Sequence, residues 1–355
     1  MKSHSLSCST CVLCLSFMLS GCSSGVPTPK TIAVAYVAHP SSHSMSLINI
    51  PADETVSTIE IGDSSVTTAT AKQSSPQNVA VSPDGSRAYV TDGVSSVWVV
   101  DTQTRAVVAT IPAGTDPAGV VIGPDGKNVY LTTLSCDTPP CISAVAVIDT
   151  ATNAVTSTIP IGSITNALLL GIAISSDGTR VYVASGNGNG VWAIDTSTNS
   201  IVATIHVTNA GSADLSISPD GSRVYTVGWT VGPFLDTYFV DVIDTKTNAQ
   251  TATILLGNQD AAVRMAISAD GADAYVTSEL GHVWIVDTTQ NALMGTVTVA
   301  AGNMLNALAF TPDGMRVYVT SGNSNTVYVL DTTTNKVLAA IPSNDPGGLA
   351  ISSAN

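Results

Sequence analysis

The residues best suited to chemistry in this chain are Asp214, Asp260, Arg264 and Glu279, with His282 close behind in sequence. Carboxylates gathered around one guanidinium would hold a cation or a polar ligand, because they supply hard oxygen ligands and arginine a planar fork of donors. With a divalent cation and His282 added, the same residues would suit a hydrolase or lyase, the metal polarising the substrate while a side chain moves a proton. Histidine is otherwise scarce: past the first residues only His39, His43 and His206 remain. His39 and His43 fall in one loop and form a weak metal signal with no carboxylate partner. Signatures of other reactions are absent from the sequence, which has no Gly-rich phosphate loop, no Cys-x-x-Cys-His haem attachment and no Gly-x-Ser-x-Gly elbow.

A repeating frame must position these residues. The stretch from Asn78 to Gly114 holds four short β-branched runs, Val79-Val81, Ala88-Thr91, Val97-Val100 and Val107-Ile111, separated by turn formers. That pattern predicts a four-stranded antiparallel meander. Its first turn is Pro83-Asp84-Gly85, and Asp-Gly recurs at Asp125, Asp177, Asp220, Asp270 and Asp313. Each Asp-Gly precedes a strand centred on tyrosine: Tyr89, Tyr130, Tyr182, Tyr225, Tyr275 or Tyr318. A third strand then ends in Asp-Thr, at Asp101, Asp149, Asp195, Asp244, Asp287 and Asp331. Four strands in a period in the forties are one blade of a β-propeller.

The two ends supply a further blade between them. Ala33-Ala38, Met45-Ile50 and Val56-Ile61 read as second, third and fourth strands with no first strand ahead of them, and Gly348-Ser352 reads as a first strand with nothing after it. The predicted fold is therefore all-β, a seven-bladed β-propeller of four-stranded antiparallel blades, its ring closed by the C-terminal strand joining the N-terminal blade. Such closure leaves neither terminus on an open sheet edge.

Tyr89-Val90-Thr91, Tyr275-Val276-Thr277 and Tyr318-Val319-Thr320, each between an Asp-Gly turn and an Asp-Thr strand, resemble the YVTN-repeat family of β-propellers over roughly residues 32 to 352. The resemblance implies the architecture and a surface-associated bacterial setting. It implies no reaction, since that family is functionally mixed.

On this frame the links between first and second strands, and between third and fourth, are short turns. The other two kinds of link vary in length and emerge together, so one face of the ring is plain and the other decorated, and loops on a rigid scaffold are where function is expected. Aligned first strands place Asn78, Gly119, Gly171, Asp214, Arg264, Ala307 and Gly348 at the entrance of the central channel. Asp214 and Arg264 fall on adjacent blades with opposite charge and read either as a channel-mouth salt bridge or, with Asp260 and Glu279 from neighbouring loops, as an acidic pocket. His282 with Glu279 is similar to the His/Glu pairing of some propeller lyases and lactonases. The repeated aspartates of Asp-Gly and Asp-Thr read as turn caps rather than a carboxylate array. Trp98, Trp192 and Trp284, with Tyr328 in the equivalent place, read as packing between blades.

Residues 1-21 read as a targeting segment, with Lys2 ahead of the apolar run Cys11-Leu19. Leu19-Ser20-Gly21-Cys22 matches the lipobox of bacterial lipoproteins, which implies cleavage before Cys22 and lipidation of that residue; in an ordinary secretory signal Cys22 would be incidental. Residues 22-31 then form the lipidated Cys and a linker, and residues 32-355 the propeller. An exported compartment is oxidising, so Cys136 and Cys141, which bracket Asp137-Pro140, are expected as a disulfide. The net charge of -14 without a basic cluster argues against nucleic acid. The expected protein is a lipid-anchored extracytoplasmic ligand- or protein-binding module, at the outer membrane or facing the periplasm in a Gram-negative host. Its partners would be the membrane, through the lipid, and a protein or polar small molecule. No cofactor is called for, although a divalent cation would fit; the alternative is a metal-dependent, lactonase-like hydrolase or lyase with its site at the channel mouth.

Overall fold

The computed structural model describes residues 33–61, 75–135, 142–161, 169–186, 190–207, 211–232 and 235–352. These residues form seven four-stranded antiparallel sheets. Blade 1 takes its inner strand from the C-terminus (Leu349–Ile351) and its others from Val34–His39, Ser44–Asn49 and Glu54–Glu60. Blades 2 to 7 follow in order as residues 79–112, 120–160, 169–205, 211–258, 262–298 and 307–342. Inner strands of consecutive blades contact one another all the way round, so the sheets close into a ring. Among the described residues no helix is long and apolar enough to cross a membrane.

Closure uses the predicted strands. Leu349, Ala350 and Ile351 pair antiparallel with Val37, Tyr36 and Ala35. Backbone bonds extend the ladder at both ends, from Gly347 N to Ala38 O at 2.8 Å and from Ser352 N to Val34 O at 2.9 Å. Blade 7 is tied to blade 1 as well: Arg316 donates to both carboxylate oxygens of Asp53, at 3.0 and 2.8 Å.

The recurrent aspartates cap turns. Asp84 accepts from Ser82 Oγ at 2.6 Å and from Ser86 N at 3.0 Å, and Asp101 accepts from the backbone and hydroxyl of Thr104 at 2.8 and 2.9 Å. Equivalent bonds hold Asp177, Asp220, Asp149 and Asp331. Hydrogen bonds to the ionised form lower the pKa of these carboxyls, in Asp220 to about 2, chiefly through Ser218. The threonine of Asp-Thr ties the two turns of a blade together: Thr102 donates to Gly85 O at 2.6 Å and Thr150 to Gly126 O at 2.7 Å.

The core lies between blades. Seven apolar clusters each combine two neighbouring blades. Each repeat tyrosine projects toward the following blade, and Tyr225, Tyr275 and Tyr318 hydrogen-bond respectively to Thr288, Asn335 and Ile50 O of that blade. Trp98, Trp192 and Trp284 are buried in these clusters, each facing the preceding blade. The tryptophan position lies three residues before the Asp of Asp-Thr, and in blade 5 it is Asp241, fully buried. Its carboxylate accepts from Gln250 Nε2 at 2.7 Å and Thr253 Oγ1 at 2.6 Å, and burial pushes its pKa up to about 6.

Two outcomes follow. Ending the chain at Pro346 removes the inner strand of blade 1, and with it three paired residues and partly buried Leu349 and Ile351. Burial of a large apolar side chain contributes about 1.5–3 kcal/mol, and each buried backbone group left unpaired costs about 1–3 kcal/mol. Those losses rival the roughly 5–15 kcal/mol stability of a whole domain, so the truncated chain should melt far below the full-length one or fail to fold. A melting temperature within a degree or two of the full-length value would show that the strand is dispensable. The second outcome concerns pH. Asp241 keeps its proton in the folded chain up to about pH 6, whereas in the unfolded chain it ionises near its ordinary value of 3.8. The unfolded state therefore binds fewer protons in that window, and this residue lowers stability as pH rises from about 4 to 6, by up to about 3 kcal/mol. The capping aspartates act oppositely, stabilising above about pH 4 and losing that contribution as pH falls. Denaturant titrations should find Asp241→Asn more stable than wild type at pH 7, with the gap closing toward pH 4; a constant gap would contradict the burial argument.

Candidate functional site

The inner strands are short, and their channel-facing residues are held by threonines of the second strand. Asn78 N and Arg264 N each donate to the hydroxyl of that threonine, Thr91 at 3.2 Å and Thr277 at 3.1 Å, and Gly119 N donates to Thr132 at 2.9 Å. Thr226 and Thr320 donate to backbone carbonyls, Asp214 O at 3.0 Å and Gly347 O at 2.7 Å. In blades 2, 3, 6 and 7, where the sequence reads Tyr-x-Thr, the motif has two jobs on one face of its strand: the phenol is buried against the next blade, and the hydroxyl bonds backbone at the channel. Thr226 of blade 5 directly follows Tyr225 and lies on the opposite face. Neighbouring inner strands approach so closely that a Cβ on Gly171 would lie 2.8 Å from Asp214 Cα, and one on Gly348 would lie 2.6 Å from Asn78 Cα. Glycine at these two positions is a packing requirement.

These strands enclose a central cavity of about 140 Å³, whose polar lining is Asn78, Asp214 and Arg264. The rest of the wall is glycine, alanine and aliphatic, with Gly119, Ile172, Ala307 and Leu349 among it. Asp214 is half-buried and accepts a hydrogen bond from Met265 N of the next blade at 2.9 Å. Burial raises its pKa, against the lowering effect of the Arg264 charge and of backbone donors. Arg264 does not close a salt bridge with it. Among the described residues Arg264 reaches no carboxylate, and its Nη1 makes only a long 3.5 Å contact to Ala213 O. A guanidinium with spare donors beside a carboxylate and an amide can bind a small ligand that carries both an acceptor and a donor.

Asp260 and Glu279 do not line this cavity. They meet in the neighbouring loops, where Glu279 N bonds Ala261 O at 2.9 Å and Leu280 N bonds Asp260 Oδ1 at 2.9 Å. His282 joins Asp260, with Nδ1 2.7 Å from Oδ2, in place of the pairing with Glu279 suggested by sequence. Glu279 is exposed, and its charge, with those of Asp236 and Asp260, adds to burial in raising the pKa of Tyr238. The pocket read from sequence thus divides into a central Asp214–Arg264 cavity and a loop cluster around Asp260. Among the described residues no three of His, Cys, Asp and Glu converge in metal-ligating geometry. Cys22, Cys136 and Cys141 lie outside the described residues; the hairpin bearing the last two is laddered up to the pair Ser135 and Ile142.

The ring and its central cavity define the chain as a seven-bladed β-propeller. No protein-family model matches it, and no curated protein does. Solved structures do share its fold. A functionally unknown protein from Desulfotomaculum acetoxidans superposes with a TM-score of 0.73 at 18% identity, over 91% of this chain and 99% of that one. Hydrazine synthase of Kuenenia stuttgartiensis gives 0.68 at 21%, over 79% and 90% respectively. Dihydro-heme d1 dehydrogenase NirN in complex with DHE gives 0.63 at 14%, over 91% and 75%. At these identities the likeness is one of fold.

Proposed function

We propose that this chain is a lipid-anchored extracytoplasmic β-propeller of the YVTN-repeat type that binds a small polar molecule in its central cavity. The observation that carries this reading is the Arg264 guanidinium, which faces the cavity with donors left over. The ligand chemistry that suits the lining is a carboxylate for Arg264 together with a hydroxyl or ammonium group for Asp214, the amide of Asn78 serving either. Hydroxy acids and amino acids have that pattern. The metal-dependent hydrolase or lyase has less support, because Asp214 and Arg264 are separated from Asp260, Glu279 and His282. The Asp260–His282 contact does give an imidazole oriented by a carboxylate, which is one component of proton-transfer chemistry. A Cys136–Cys141 disulfide would brace the long hairpin of blade 3.

A panel of small hydroxy and amino acids tests the binding site by thermal shift. A ligand that binds only the folded chain stabilises it by about 2.7 kcal/mol at 100 times its Kd, a shift of several degrees for a domain this large. Arg264→Ala should abolish the shift while leaving the unliganded chain folded. A shift of equal size in that variant would remove Arg264 from the site. Anchoring is tested separately: Cys22→Ser should block acyl labelling and leave the chain unprocessed, and normal labelling of that variant would refute the lipoprotein reading.

A further inference from the structure

The seven blade junctions are not alike outside the tyrosine row. At each, the residue at the tryptophan position shares the junction with a residue at or near the end of the preceding blade's outer strand. The pairs are Ile61 with Trp98, Ala113 with Ala146, Ile161 with Trp192, and Leu256 with Trp284. Val299 with Tyr328 follows the same rule, and in blade 5 the tryptophan position is Asp241. At the junction of blades 7 and 1 both members are serine, Ser343 and Ser46. Loss of the apolar filling opens a groove of about 360 Å³, lined by hydroxyls that include Ser44, Ser46, Thr58 and Ser343, with Glu60 and His39.

His39 is the one imidazole three residues after a repeat tyrosine, where the other blades carry Asp92, Thr133, Ser185, Gly228, Ser278 and Ser321. It is buried, with Nδ1 2.7 Å from the carbonyl oxygen of Asn344 and Nε2 2.6 Å from Ser46 Oγ. A carbonyl can only accept, so Nδ1 carries a hydrogen. Burial lowers the pKa of His39 and favours the neutral ring, which leaves Nε2 as an acceptor. The Ser46 hydroxyl must then be the donor. Serine donating to Nε2, with Nδ1–H held by an acceptor, is the arrangement of a serine nucleophile with its general base.

We infer that Ser46 is a nucleophile activated by His39, and that the groove between blades 7 and 1 takes a small neutral ester. Glu60 at the groove disfavours anionic substrates, and the hydroxyl lining suits a polar acyl or alcohol portion. In the reaction Ser46 Oγ forms a bond to the acyl carbon while its proton passes to His39 Nε2. The ester C–O bond breaks, and the leaving alcohol takes that proton. Water then attacks the acyl-serine with His39 again as base, releasing the acid and restoring Ser46. This site is independent of the central cavity and of any ligand there.

A fluorophosphonate probe on the purified full chain tests the assignment. The Oγ–P bond forms, the P–F bond breaks, and fluoride leaves as Nε2 takes the proton. Peptide mapping should find the adduct on Ser46 and no adduct in Ser46→Ala, and His39→Gln should slow labelling by at least about 100-fold, the lower end of general-base contributions. Nitrophenyl acetate hydrolysis should disappear in Ser46→Ala. Wild-type chain without phosphonate on Ser46, undiminished labelling in folded His39→Gln, or undiminished hydrolysis in Ser46→Ala would each overturn the proposal. If His39→Gln does not fold, the wild-type adduct map and the Ser46→Ala comparison decide alone.

Discussion

The pairing of Leu349–Ile351 with Ala35–Val37 is the contact on which the rest of this molecule depends. Every blade presents apolar side chains on both faces, and each face finds cover only on a neighbouring blade. A ring satisfies that demand for all seven sheets at once, whereas an open arc would leave two faces exposed to water. Splitting one blade between the chain ends makes closure a matter of backbone hydrogen bonds as well as side-chain burial. The contact of Arg316 Nη1 with both carboxylate oxygens of Asp53 adds to the same seam.

Closure also sets where chemistry can occur. Inner strands are pressed together around the axis, so most channel positions must be small; Gly171 and Gly348 touch neighbouring backbone. Side chains of any size are tolerated only where a strand leaves room, and Asp214, Arg264 and Asn78 occupy such places. The scaffold around them is stiff because its backbone polar groups are bonded to second-strand threonines. A cavity of this kind holds its polar groups in fixed positions without ordering a loop, which reduces the entropic cost of binding.

The outer part of each junction obeys a looser rule. There a tryptophan or tyrosine normally fills the gap, and two blades depart from it with polar groups. Asp241 is accommodated by Gln250 and Thr253 at the cost of a raised pKa. Ser46 is accommodated by His39 and leaves a groove open to solvent. A buried polar group in place of an indole forfeits packing, so it persists only when bonded. The two substitutions differ in consequence, because one remains sealed in protein and the other faces a space a small molecule can enter.

The blade count, strand order and closing strand were legible in the sequence because local signals repeat: Asp-Gly turns, tyrosine strands and Asp-Thr ends recur with nearly fixed spacing, and β-structure of period two needs no distant information to be recognised. The turn role of the repeated aspartates was legible for the same reason, since their partners lie two or three residues away. Asp214 and Arg264 could be assigned to the channel by aligning blades. Their failure to form a salt bridge could not be foreseen, nor the separation of Asp260 and Glu279 from them, because side-chain direction across neighbouring strands is fixed by packing around the ring. His282 was similarly matched to Glu279 in sequence, whereas loop geometry delivered it to Asp260. The His39–Ser46 contact was beyond sequence reasoning altogether. His39 read as a loop residue beside His43, and only the pairing of its strand with the next, and of blade 1 with blade 7, brought it between Ser46 and the carbonyl of Asn344, more than three hundred residues away.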